Sequence, residues 1–276
     1  MQSHLIDAAS LRTEIDRPGT IVIDCRWYLG EPDRGLLAYN EGHLPGARYV
    51  SLDGQLSGRA GAGRHPLPSP EAFAAAMSAL GISNDSRVVV YDDRGGAVAA
   101  RLWWMLTAQG STKTSVLDGG IQAWISQGGG LESNTPAPSH GRFAAGDWTG
   151  VVAIDAVSQR QPDVAVIDAR SAERYRGDAE PVDQKAGHIP GAVSMPLSDN
   201  LTEDLYFHEQ AVLRHRFTSA GIKAGDTTIS QCGSGVTACH NILAMELAGL
   251  GRPDLYVGSW SDWSSSDHPV ATGDQP

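Results

Sequence analysis

The block Gly42-His43-Leu44-Pro45-Gly46-Ala47 returns as Gly187-His188-Ile189-Pro190-Gly191-Ala192, and the chain around each copy repeats with it. Setting Asp24 on Asp168 aligns Val22–Arg26 with Val166–Arg170 at an offset of 144 (168 − 24), and the glycine-histidine blocks follow at 145 (187 − 42). Val88–Asp92 lies over Thr228–Cys232 at 140 (232 − 92), and Gly119 and Trp124 answer Gly258 and Trp263 at 139 (263 − 124). Matched blocks in one order with so little drift mark a tandem duplication. A chain of 276 residues built this way must fold as two similar units, each long enough for its own core.

Within each half, short apolar runs alternate with segments of helical spacing, the pattern of an α/β fold with a mainly parallel sheet flanked by helices. Ile21–Asp24, Val88–Tyr91 and Ser115–Leu117 read as buried strands of the first half, and Val164–Asp168 and Thr227–Gln231 as strands of the second. Helices are expected over Pro70–Leu80, Val98–Ala108 and Thr237–Ala248, the first opening on proline and the last stopped by Gly249. The run Gly128-Gly129-Gly130 and the stretch Thr135-Pro136-Ala137-Pro138-Ser139 punctuate the middle of the chain. They divide it into a first domain at 1–135, a linker at 136–149 and a second domain at 150–276.

The formal charge of −11 argues against sequence-independent nucleic-acid binding, which needs clustered cations. No apolar stretch reaches membrane-spanning length, and Met1–Arg12 lacks the pattern of a signal peptide. Three cysteines, Cys25, Cys232 and Cys239, are too few for a disulfide framework. A reducing cytoplasm is therefore the expected setting.

The chemistry gathers on Cys232-Gly233-Ser234-Gly235-Val236-Thr237-Ala238. A strand ending in cysteine, a glycine-bearing loop and a helix start together make a cradle of backbone N–H groups around one atom. If that atom is the Cys232 sulfur, its thiolate is favoured. A helix dipole contributes only about 0.3–1 kcal/mol at an exposed terminus, so several loop amides are required as well. The first repeat carries Asp92-Asp93-Arg94-Gly95-Gly96 at this place. Asp92 cannot act as a sulfur nucleophile, which confines the chemistry to Cys232. A phosphatase loop would need an arginine six residues after the cysteine, and position 238 is alanine. No Cys/His spacing resembles a zinc site, and Gly58–Arg64 lacks the Gly-Lys-Ser/Thr of a nucleotide loop, so no metal or cofactor is expected. Cys25 and Cys239 read as packed residues, and His188 as a structural one.

The two Gly-His-Leu/Ile-Pro-Gly-Ala blocks, the Cys232 loop and Val257-Gly258-Ser259-Trp260-Ser261-Asp262-Trp263 together resemble the tandem rhodanese-like sulfurtransferases over almost the whole chain. The resemblance implies two rhodanese-like domains, a non-catalytic first and a catalytic second. The loop is similar to that of the 3-mercaptopyruvate branch, since the thiosulfate branch usually has Arg-Lys after the cysteine. Sulfur would then pass from 3-mercaptopyruvate through a Cys232 persulfide to a thiol, a thioredoxin or cyanide. Thiosulfate as donor, or a non-catalytic persulfide carrier, are the alternatives. The resemblance further implies Ser234 as a proton relay with His43 and the upstream acid Asp33. Arg174 would bind the donor together with the loop residues Gly233, Gly235, Val236 and Thr237. One position departs from the pattern: Glu180-Pro181-Val182-Asp183 puts Asp183 where the branch carries a second arginine. On that reading an arginine at 183 should strengthen donor binding.

Overall fold

The computed structural model describes residues 4–134, 136 and 140–276. Residues 137–139 of the expected linker, and Thr135 at the end of the expected first domain, lie outside these. The chain forms two compact units. The first gathers residues up to Gly58 with Leu67–Thr149 and Glu203–Tyr206, and the second comprises Arg59–Pro66, Gly150–Thr202 and Phe207–Pro276. Two short segments thus belong to the unit opposite to the one their sequence position suggests. No helix among the described residues is long and apolar enough to cross a membrane.

The first unit is built on β1 (Leu5–Ile6), β2 (Thr20–Asp24), β3 (Arg48–Tyr49), β4 (Arg87–Tyr91) and β5 (Thr114–Leu117). The second uses β6 (Val151–Val152), β7 (Ala165–Asp168), β8 (Ala192–Ser194), β9 (Thr228–Gln231) and β10 (Asp254–Tyr256). Their sheet orders, β1-β5-β4-β2-β3 and β6-β10-β9-β7-β8, are the same order written twice, and every strand pair is parallel. Parallel strands are buried on both faces, so their sequences run continuously apolar. Val88, Val89, Val90 and Tyr91 accordingly have no exposed surface, and neither do Val166 and Ile167. The register sets Asp24 beside Tyr91 and Asp168 beside Gln231, immediately before Asp92 and Cys232. Both chemically distinct positions therefore leave the same edge of a central strand.

Helices form over Pro70–Ala79, Ala99–Ala108 and Ala238–Leu247, within a residue or two of expectation. The first begins where Pro70 takes a position needing no N–H donor, and Ser69 Oγ accepts from the Ala72 amide at 3.2 Å. Strands of two or three residues, such as β1, β3 and β6, carry too few side chains for periodicity to reveal them.

Each repeat is locked by the same ionic clamp. The Asp168 carboxylate accepts from Arg170 Nε and Nη2, at 2.7 Å for the latter, and Nη2 also donates to the Gly187 carbonyl at 2.7 Å. Asp24, Arg26 and Gly42 repeat these contacts at 2.6 and 2.7 Å. The clamp thus ties the end of the central strand to the glycine before each histidine. In the second unit its side chains are 1% and 0% exposed, and the Arg170 guanidinium lies 4.5 Å from the centre of the Trp260 ring. Removing one partner of such a buried pair typically costs about 3–5 kcal/mol, because the other charge stays buried. Asp168→Ala is therefore expected to lower the thermal unfolding midpoint strongly. Asp178→Ala, which breaks an exposed pair with Arg176, should cost under about 1 kcal/mol. Equal effects in calorimetry would contradict the clamp's role.

Candidate active site

Cys232 follows β9 directly and is buried. Its Sγ accepts a hydrogen bond from the Gly235 amide at 3.1 Å. Gly235 has φ +75°, and a Cβ there would come within 2.4 Å of the Val257 carbonyl oxygen. Only glycine closes the loop at this position. Val236 and Thr237 open the following helix, their carbonyls accepting from the amides of Cys239 and His240. The loop backbone is pinned by the Val257–Trp263 block. Cys232 N–H donates to Ser259 Oγ at 3.1 Å, while Trp260 N–H meets the Cys232 carbonyl and Ser261 N–H the Gly233 carbonyl, each at 2.9 Å. Ser259 itself sits at φ +52°, a left-handed conformation that costs a non-glycine residue energy. Its hydroxyl offsets that by bridging the Cys232 amide and the Tyr256 carbonyl.

The first repeat shows what this loop holds. The Asp92 carboxylate accepts four backbone N–H groups, those of Arg94, Gly96, Val98 and Ala99, at 2.8–2.9 Å. A loop of this shape surrounds negative charge with amide dipoles.

Ser234 Oγ lies 2.7 Å from His65 Nδ1, both residues being buried. Its partner is therefore His65, in place of the expected His43 and Asp33. His43 is fully buried in the first unit, stacked on Tyr39, with Nδ1 2.8 Å from the Tyr39 carbonyl and Nε2 3.1 Å from that of Asn134. His188 makes the matching set with Tyr175, stacked 3.8 Å away, and the carbonyls of Tyr175 and Gln275. Two rings in one environment share one task, which is fixing the turn after the glycine. Asp33 is an exposed residue at the start of the helix Arg34–Glu41, and its side chain makes no capping bond. His65 is hidden in the sequence because Gly58–Arg64, tested against a nucleotide loop, matches no motif that would single out its neighbour. Its signal was a glycine-rich segment running straight into Arg64-His65. Gly63, at φ +75°, lets that segment lie on the second unit, where a Cβ would meet the Gly258 carbonyl at 2.4 Å. Arg64 N–H then donates to Ser261 Oγ at 3.1 Å.

Arg174, on the short helix Ala172–Arg176, holds Glu180 through Nε at 3.2 Å and Nη2 at 2.7 Å, and reaches Asp183 Oδ2 at 3.0 Å. Asp183 Oδ1 is paired with Arg64. Burial acts against ionised Glu180, but the Arg174 hydrogen bond and the amides of Asp183 and Val182 hold its carboxyl below the usual value. For Asp183 burial, reinforced by the Glu180 charge, prevails over both guanidiniums and pushes the carboxyl up. Cys25 and Cys239 are both buried, and burial pushes the Cys25 thiol well up. Among the described residues no group of three or more His, Cys, Asp or Glu side chains could hold a metal ion.

An arginine at position 183 would meet two guanidiniums and remove the carboxylate they share. Asp183→Arg is therefore expected to lower both the unfolding midpoint and turnover, the reverse of what the sequence suggests. Asp183→Asn should be milder in both. A gain of turnover in Asp183→Arg would contradict this geometry.

Comparison with known proteins agrees with the repeat. The rhodanese-like domain family matches residues 7–127 and again 154–266. The Pseudomonas aeruginosa protein named "Probable 3-mercaptopyruvate sulfurtransferase" is 42% identical over 283 residues, covering 99% of each chain. SseB of Mycobacterium tuberculosis, named for thiosulfate sulfur transfer, is also 42% identical, over 98% of this chain and 97% of its own. The crystal structure of SseA from Escherichia coli, solved for the rhodanese fold and mechanism of 3-mercaptopyruvate sulfotransferases, superposes with a TM-score of 0.84. It is 33% identical and is matched over 94% of this chain and 100% of its own. With two copies of the domain and relatives similar from end to end, the chain belongs to the rhodanese-like family and is an enzyme of sulfur transfer.

Proposed function

We propose that the chain moves a sulfane sulfur from 3-mercaptopyruvate through a Cys232 persulfide to a thiol, which is either a small molecule or a thioredoxin-like protein. The observation that carries the choice of donor is the 2.7 Å pair between Ser234 and His65, two residues along from the nucleophile. The Cys232 thiolate attacks the donor sulfur, and the bond from that sulfur to C3 breaks. Its electron pair leaves with the carbon as pyruvate enolate, which must gain a proton to become pyruvate. Ser234 supplies that proton and His65 replaces it, a general-acid role worth about 10²–10⁴ in rate. The sulfite released from thiosulfate is a stable anion and needs no such relay. An acceptor thiolate then attacks the outer sulfur, leaving with it as a persulfide and restoring the Cys232 thiolate.

The Gly235 amide, aimed at the sulfur, stabilises negative charge there through the cycle. Arg174 binds the donor carboxylate, and Gly233, Gly235, Val236 and Thr237 shape the loop that receives its sulfur. The first domain is non-catalytic, with Asp92 in the place of cysteine. The domain limits 1–135 and 150–276 keep their support from the composition of the intervening stretch. Three free cysteines suit a reducing compartment such as the cytoplasm. Thiosulfate remains the second reading, favoured by the cations Arg64 and Arg174 beside Gly233.

A paired assay with the two donors tests the proposal. 3-Mercaptopyruvate is expected to exceed thiosulfate at least about tenfold in kcat/KM, an advantage of about 1.4 kcal/mol. Equal or reversed values would remove the donor assignment. Intact mass after donor treatment should show one added sulfur in the wild type and in Cys239→Ser, and none in Cys232→Ser. Ser234→Ala and His65→Ala should slow sulfur transfer from 3-mercaptopyruvate by at least about tenfold while sparing thiosulfate.

A further inference from the structure

A Cβ placed on Gly233, next to the nucleophile, would lie 3.0 Å from Arg64 Nη2 and 3.3 Å from Arg174 Nη1. Two guanidiniums therefore converge on one side of the Cys232 loop. The nearest nitrogen of each is not one given to a carboxylate, because Asp183 takes Arg64 Nη1, and Glu180 and Asp183 take Arg174 Nε and Nη2, the last lying farther off at 3.7 Å. The carboxylates lie behind the cations: their side chains are 3–4% exposed, against 30% for Arg64 and 20% for Arg174. Arg64 also borders an open cleft of about 310 Å³ shared with Asp183 and Ser261, and its side chain is partly open to solvent. Its backbone is fixed through the Ser261 hydroxyl and the close approach of Gly63 to Gly258.

We infer that Arg64 is the second cation that binds the donor carboxylate, closing a two-armed clamp with Arg174 beside Cys232. The clamp rests on the 3-mercaptopyruvate reading and specifies how that donor is held. Position 183, where the related pattern has arginine, here supplies the carboxylate that turns Arg64 toward Gly233. The missing cation is thus provided by a different stretch of chain. Two forked donors spaced around a planar carboxylate fix its orientation as well as its charge. The donor's sulfur is then presented to Cys232 in one geometry.

The test uses the full chain with persulfide formation at Cys232 followed by intact mass and by steady-state turnover. Arg64→Ala is expected to raise KM for 3-mercaptopyruvate at least tenfold with kcat changed less than threefold, and Arg64→Lys to fall between it and the wild type. With the methyl ester of 3-mercaptopyruvate, which lacks the carboxylate, wild type and Arg64→Ala should differ less than twofold. A displaced His65 or a loosened loop would instead lower kcat for acid and ester alike, and that result overturns the clamp. So does an unchanged KM for the acid in Arg64→Ala when the wild type forms the persulfide. A wild type that forms no persulfide from 3-mercaptopyruvate overturns the donor reading, and the clamp with it.

Discussion

Negative charge at the buried end of a parallel strand needs backbone amides around it, and the loops after β4 and β9 exist to provide them. In the first repeat the charge is permanent, and four amides close on the Asp92 carboxylate. In the second a sulfur occupies the place, with the Gly235 amide directed at it. Much else in the second unit follows from keeping that loop shut. Gly235 removes the Cβ that would strike Val257, and the Val257–Trp263 block supplies the groups that pin Cys232 and Gly233. Ser259 accepts an unfavourable backbone conformation so that its hydroxyl can bridge two strand ends.

Around this loop the arginines divide into two kinds by what lies behind them. Arg170 is consumed by structure, held by Asp168, the Gly187 carbonyl and the face of Trp260. Arg64 and Arg174 are braced from one side only, which leaves guanidinium nitrogens toward Gly233. Bracing matters because a free arginine loses much rotamer entropy when it binds an anion, and a pre-set one loses less. The same carboxylates hold down the net charge near the nucleophile. A site with two bare arginines would favour any passing anion, whereas a braced pair discriminates by shape.

The duplication, the parallel α/β architecture, the central strands and the Cys232 loop were legible in the sequence, because each rests on local pattern or on self-similarity. The partners of the loop were not. The family resemblance points Ser234 to His43, yet both copies of the glycine-histidine block bury their histidine against backbone carbonyls. His65 and Arg64 lie on a glycine-rich segment with no period to read. Their importance comes from contacts with residues 169 and 119 positions away, His65 with Ser234 and Arg64 with Asp183. Asp183 misled for the same reason. Read along the chain it is a carboxylate where a cation belongs, and only the fold shows which cation it holds.

The placement of Arg59–Pro66 within the second unit bears on how the two copies can evolve. A duplicated gene can ordinarily be split again, each half keeping its own core. Here Ser234 and His65 stand on opposite sides of the midpoint of the chain, so a cut at the middle would separate the serine from its imidazole partner. The first half of the chain, with Asp92 at the place of Cys232, gives the second unit one eight-residue segment, which carries His65. The two copies are therefore tied to one another by that exchange, while their sheets keep one strand order written twice.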